Sequence, residues 1–189
     1  MTKKQDLRYR GSSRLLATLL MLAVSVGMVF AAAWWYNTAR ADYLTPAEGV
    51  TVPLSVARVI PVTAQEKATY HVDSAAQAED ASGRVTGYLI ITTVRGYKSD
   101  IRVQSTFAAD GETLAGIRVL SQDETEYLGT RVESADFAAL FLGRRAPMKL
   151  WGSATLGSPI DAISGSTVSS QAVVDAVNNA HAYLRSRAA

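Results

Sequence analysis

Asp161-Ala162-Ile163-Ser164-Gly165-Ser166-Thr167 gathers three hydroxyl side chains around one glycine, directly ahead of a long amphipathic stretch. If that stretch is a helix, its first N–H groups have no partners within the helix. Its N-terminus favours negative charge, and Gly165 lets another group approach the backbone closely. A nucleophilic oxygen, free N–H donors and a positive helix end together suit a phosphate, either bound or covalently attached. The plainer reading is a helix cap, a role that Ser164, Ser166 or Thr167 can fill. Ser170, not Glu or Gln, stands three residues after Thr167, so there is no capping box. A cap also needs only one hydroxyl, whereas four surround this glycine once Ser169 is counted.

A second cluster, Glu124-Thr125-Glu126-Tyr127-Leu128-Gly129, follows a run of strand signals. Thr86 to Val94 is dense in β-branched and aromatic residues. Ile101 to Phe107 alternates Ile101, Val103, Ser105 and Phe107 with Arg102, Gln104 and Thr106. Asp110-Gly111 marks a hairpin turn, and Leu114 to Leu120 reads as the returning strand. Ala135 to Leu142 predicts a short helix ended by Gly143, and Met148 to Trp151 a short strand. From Val168 to Arg187, Val168, Ala172, Val173, Ala176, Val177, Ala180 and Leu184 form one helical stripe. These elements predict an α+β fold, a twisted antiparallel sheet with helices packed on it. Val50 to Val62 has β-rich pieces that could supply an edge element, and Gln65 to Ala81 has a polar, alanine-rich composition open to a helix.

Ahead of this lies an uncharged run from Leu15 to Tyr36, about 22 residues, long enough to cross a bilayer as a helix. Trp34, Trp35 and Tyr36 suit its far interface. Five of the 19 basic residues precede Leu15 with only one of the 17 acidic ones, so the positive-inside rule keeps residues 1–14 in the cytoplasm. Everything beyond Tyr36 is then extracytoplasmic. A signal peptide cleaved at Ala31-Ala32-Ala33 would put the domain on the same side, but the apolar run is long for one. The expected organisation is a basic tail (1–14), a transmembrane helix (15–36), a membrane-proximal segment (37–82) and a domain (83–189).

The charge excess belongs to the tail, since the remainder is net −2. No basic face speaks for nucleic acid. The absence of cysteine excludes disulfides, thiolate-held iron–sulfur clusters and Cys-linked haem. His71 and His181 are far apart with no metal-ligand spacing, so no metal site is expected. A serine hydrolase built on Ser164 or Ser166 lacks a histidine partner and the Gly-X-Ser-X-Gly setting.

The order of the blocks is anchor, meander, Glu-Thr-X-X-Leu-Gly loop, short helix ending Phe141-Leu142-Gly143, then Asp-Ala-X-Ser-Gly-Ser-Thr before the last helix. Over residues 86 to 184 this resembles the FMN-binding domain family, shared by the G subunit of the Rnf electron-transport complex and the C subunit of the sodium-translocating NADH:quinone reductase. Gly96-Tyr97 and the Asp110-Gly111 hairpin look like the Rnf member. The resemblance implies that Thr167 carries FMN, its hydroxyl esterified to the flavin phosphate by a separate flavin transferase that recognises Asp161. It implies that Ser164, Gly165 and Ser166 surround the phosphate, and that Glu124, Thr125, Leu128 and Gly129 lie against the isoalloxazine ring. Ser166 replaces the family's usual Ala, and Glu126-Tyr127 replaces Pro-Gly. On this reading Tyr127 stacks on the ring and Glu126 lowers the flavin potential. The implied function is an anchored electron carrier of an Rnf-type ion-translocating ferredoxin:NAD oxidoreductase complex in the inner membrane, with other membrane subunits and lipid as partners. It would be an electron-transfer component and no independent catalyst. The quinone-reductase alternative stays open, as does a flavin-free, membrane-anchored binding module in which Ser-Gly-Ser-Thr only caps a helix.

Overall fold

The computed structural model describes Met21, Ser25, residues 27–31 and residues 56–188. The chain divides into two compact units, residues 1–43 and 44–189. The described part of the first unit is helical, and its Met21, Met28, Val29 and Phe30 side chains are 68–73% exposed. Ser25 Oγ donates to the Met21 carbonyl four residues back (2.8 Å), satisfying its hydroxyl within the helix. The expected tail 1–14 and most of the expected span 15–36 lie outside the described residues. Among the described residues no helix is long and apolar enough to cross a membrane.

The second unit is built on a five-stranded antiparallel sheet in sequence order: β1 (Val56–Ile60), β2 (Val72–Glu79), β3 (Val85–Arg95), β4 (Asp100–Ala108) and β5 (Leu114–Ser121). The meander of β3, β4 and β5 follows from the alternation noted above. Tyr88 stands opposite Phe107, and Ser105 opposite Ile117. On one face Ile90, Ile101, Val103, Phe107, Leu114 and Ile117 enter the core. A 22-residue helix, Thr167–Ala188, lies over that face and buries Ala172, Val173, Ala176, Val177, Ala180 and Leu184 against it. Each large apolar side chain removed from water contributes about 1.5–3 kcal/mol. Small residues on the helix side of the seam let it come close enough for the Thr92 hydroxyl to reach the Ala176 carbonyl (3.1 Å).

The segment before residue 83 supplies two strands, not a single edge element. β1 is the edge and β2 pairs between it and β3. The alanine-rich stretch 65–81 departs from a helical reading. A helix α1 (Ala64–Tyr70) starts at Thr63 with a complete capping box to Glu66 and stops at His71, which takes the left-handed conformation (φ 55°). β2 then begins, because Ala75, Ala76 and Ala78 fit a sheet interior in which all three are 3% exposed or less. Tertiary packing decides there against alanine's helix preference.

Beyond β5 come a 3₁₀ turn (Gly129–Glu133), the short helix α2 (Ala135–Ala139) capped by Ser134, and two short parallel strands, β6 (Met148–Leu150) and β7 (Ser158–Ile160). The last helix is α3 (Thr167–Ala188). Asn178 clamps β6 to α3, accepting from the Met148 N–H (2.7 Å) and donating to the Met148 carbonyl (2.9 Å). At the far end of α3, Arg187 binds Glu66 (2.9 Å) and the Pro61 carbonyl (2.7 Å). These ties fix where α3 begins, and its first turn is the site.

Candidate flavin site

The N-terminus of α3 and the turn between β3 and β4 meet at one end of the sheet. Between them is a cleft of about 530 Å³, lined by Tyr97, Thr125, Leu128, Gly129 and residues 165–169. Its size falls in the range of cofactor sites, and Leu128 and Val168 give it apolar wall. A larger cleft of about 790 Å³ runs past Lys67, Asp73, Arg95 and Asp175 but contains none of the motif residues. The smaller one therefore has the better claim on chemistry.

The loop into α3 is held by its own hydroxyls. The Ser166 N–H donates to the Ile163 carbonyl (2.9 Å). Ser170 Oγ accepts from the Ile163 N–H (3.0 Å) and donates to the Ser166 carbonyl (2.9 Å). Gly165 is left-handed (φ 80°), and a Cβ there would stand 3.3 Å from Leu128 Cδ2. So the two motif loops touch across Gly165 and Leu128, which is how residues some forty apart in sequence share one wall. Thr167 is exposed at the first position of α3, whereas Ser166 is only 5% exposed. Ser164 is exposed but does not line the cleft.

Ser166 Oγ is buried in this wall without a hydrogen-bond partner. An orphaned buried hydroxyl costs about 1–3 kcal/mol. A phosphate-bearing group at the helix start would answer both the orphan and the free N–H groups of the first turn. The residues present fit FMN on that ground. Among the described residues no group of three or more His, Asp or Glu is placed to hold a metal ion.

Glu124 is placed differently from the sequence expectation. It is 3% exposed and does not line the cleft. Its carboxylate accepts from the N–H groups of Tyr97 (3.1 Å), Lys98 (2.9 Å) and Ser99 (2.9 Å), and from the hydroxyls of Ser99 (3.2 Å) and Ser169 (2.6 Å). It thus ties the β3–β4 turn to the first turn of α3 from behind. Burial alone pushes its pKa up, but the Ser169 hydroxyl and the three backbone donors outweigh that and hold it at about 2, against 4.5 for a free side chain. Because the folded pKa is the lower one, the stabilisation is complete above pH 4.5 and fades as pH falls toward 2. The shift is worth about 3 kcal/mol. Glu124→Gln is expected to lose roughly that much at pH 7 and to flatten the acid limb of a plot of unfolding free energy against pH. Urea melts at several pH values measure this, and an unchanged acid limb would contradict it.

Three further sequence expectations meet the geometry. Thr125, Leu128 and Gly129 do line the cleft. Tyr127 does not; it is left-handed (φ 61°) and 80% exposed. The aromatic side chain in the wall is Tyr97, 69% exposed, on the turn that Glu124 holds. Gly96-Tyr97 is visible in the sequence as a family feature, yet nothing local says that it faces the helix start. Glu126 is exposed and outside the cleft lining.

Comparison with known proteins agrees with this geometry. Residues 96–182 match the model of the FMN-binding domain. The chain is 34% identical over 105 residues to the G subunit of the ion-translocating oxidoreductase complex of Methanosarcina acetivorans, covering 56% of this chain and 55% of that one. It is 32% identical over 140 residues to the protein of the same name in Cereibacter sphaeroides, covering 66% and 63%. The matches thus span only 55–63% of the length of these relatives. The crystal structure of the C subunit of the Na(+)-translocating NADH-quinone reductase from Parabacteroides distasonis superposes over 70% of this chain and 77% of that one, with TM-score 0.52 and 20% identity, a likeness of fold. The domain that holds the cleft therefore belongs to the FMN-binding domain family.

Proposed function

We propose that this chain is a membrane-anchored electron carrier of an Rnf-type ion-translocating complex, with FMN covalently attached through Thr167. One observation carries the reading. The Thr167 side chain is exposed at the N-terminus of a 22-residue helix, inside a cleft that both motif loops line. The bond formed is an ester between Thr167 Oγ1 and the FMN phosphate, and a flavin transferase makes it as the hydroxyl gives up its proton. The phosphodiester keeps a negative charge where the α3 dipole favours one. Gly165 admits it to the backbone, and Ser166 offers its unpaired hydroxyl. Thr125, Leu128 and Gly129 take one side of the ring system, and Tyr97 and Val168 supply the remaining apolar wall.

Bound FMN supplies the electron uptake and release, while the protein positions it and limits water access. Covalent attachment suits a domain outside the cytoplasm, where lost FMN is hard to replace. The uncovered apolar side chains of Met21, Met28, Val29 and Phe30 support a single N-terminal anchor in the inner membrane. An anchor raises the effective concentration of the carrier near the other membrane components of the complex. Identity of 32–34% to Rnf-type relatives, against 20% to the quinone-reductase protein, favours the Rnf reading.

The test is the intact mass of the chain purified from its native membrane. The expected result is one FMN ester per chain, with a fluorescent band on a denaturing gel. An unmodified mass from a host with an active flavin transferase would leave a helix cap and a binding module.

A further inference from the structure

No side chain lining the flavin cleft carries a formal charge at neutral pH. Directly behind its wall sits Glu124, the one charged side chain that is fully buried among the described residues. Three of its neighbours are wall residues. Ser169 Oγ is 2.6 Å from its carboxylate, the Tyr97 N–H is 3.1 Å away, and a Cβ on Gly129 would lie 2.6 Å from Glu124 Cβ. The carboxylate is therefore one residue layer from whatever fills the cleft, with protein and no water between. A charge in such a place acts at low effective permittivity. Glu126 is exposed, and solvent screens it.

We infer that Glu124 is a positioning residue that also sets the redox potential of the flavin in this cleft, its fixed negative charge opposing the negative charge that reduction adds. The inference rests on the flavin reading above. Each electron delivered by the donor adds one negative charge to the ring unless a solvent proton accompanies it. Glu124 exchanges neither electron nor proton; it stays ionised throughout and weights the equilibrium toward the oxidised side. Its five donors offset part of that field, so removing a donor and removing the charge should move the potential in opposite directions.

The experiment is a spectroelectrochemical titration of the flavinylated full-length chain, following FMN absorbance. The solution is poised at the wild-type midpoint. Glu124→Gln is expected to raise the ratio of reduced to oxidised flavin about tenfold, the scale of a partly offset charge across one residue layer. Ser169→Ala, which deletes the 2.6 Å donor, is expected to lower that ratio. Glu124→Asp keeps the charge and should stay close to wild type. A merely structural role gives no such reversal of sign. An unchanged or lowered ratio in flavin-loaded Glu124→Gln overturns the inference. If that variant fails to accumulate, Ser169→Ala decides: a fall in the ratio supports the inference, and no fall overturns it. A wild-type chain without FMN by mass overturns the carrier reading and this inference together, whereas FMN present with an unmoved potential overturns this inference alone.

Discussion

The Thr167→Val chain, purified from a host that flavinylates the wild type, is expected to carry no FMN while remaining folded. Valine keeps the β-branched shape and removes only the nucleophilic oxygen. The residue is exposed, so the core contacts of α3 are untouched. Changes at such positions shift stability by about 0.5 kcal/mol or less. Thr167→Ser should retain the flavin, because the hydroxyl persists at the same backbone position. Ser166 is an unsuitable substitute nucleophile, since its Oγ is buried in the wall where a transferase cannot reach it. Intact mass and fluorescence on a denaturing gel report the attachment, and thermal unfolding reports the fold. Flavin retained in Thr167→Val would move attachment to another hydroxyl, and Ser164, exposed two residues before Ser166, would be the first to examine.

What the sequence made legible depended on whether the determining contacts were local. The β3–β4–β5 meander announces itself through two-residue alternation and the Asp110-Gly111 turn, where the Asp110 carboxylate accepts from the Glu112 (2.9 Å) and Thr113 (2.8 Å) N–H groups. α3 announces itself through a stripe of small and branched residues at helical spacing. The hydroxyl-glycine cluster is equally local, and its residues lie together at the start of α3. β2 was illegible because Ala75, Ala76 and Ala78 favour a helix by themselves and become strand only between β1 and β3. Glu124 was legible as a motif residue but not as a buried anchor. Its partners Tyr97, Lys98 and Ser99 lie 25 to 27 residues upstream and Ser169 lies 45 downstream. No local spacing encodes that convergence. Tyr127 shows the opposite case. A motif analogy puts its ring on the flavin, but it stands where the family has Gly, in the left-handed conformation, and its side chain points to solvent.

The cage around Glu124 also explains two glycines whose need is steric. A Cβ on Gly129 would meet Glu124 Cβ at 2.6 Å and Ser169 Oγ at 3.0 Å. A Cβ on Gly96 would meet Glu124 Oε1 at 2.6 Å and Ile101 Cδ1 at 2.8 Å. Neither clash falls on the free end of a flexible chain. The carboxylate is fixed by five donors, and Ile101 is fully buried. Gly129→Ala and Gly96→Ala are therefore each expected to destabilise the domain by about 3 kcal/mol, at the upper end of overpacking penalties. Gly143 supplies the control. It is left-handed (φ 71°) with nothing within 4 Å of an added Cβ, so Gly143→Ala carries only a conformational cost of about 1 kcal/mol. Denaturant melts of the three variants rank these effects. The two cage variants should also lose flavin loading in parallel with stability, because the β3–β4 turn and the first turn of α3 separate when the carboxylate is displaced. If Gly129→Ala and Gly96→Ala melt within about 1 kcal/mol of Gly143→Ala, the turn around Glu124 yields easily. The rigidity on which both the cleft and its buried charge depend would then have to come from α3 packing alone.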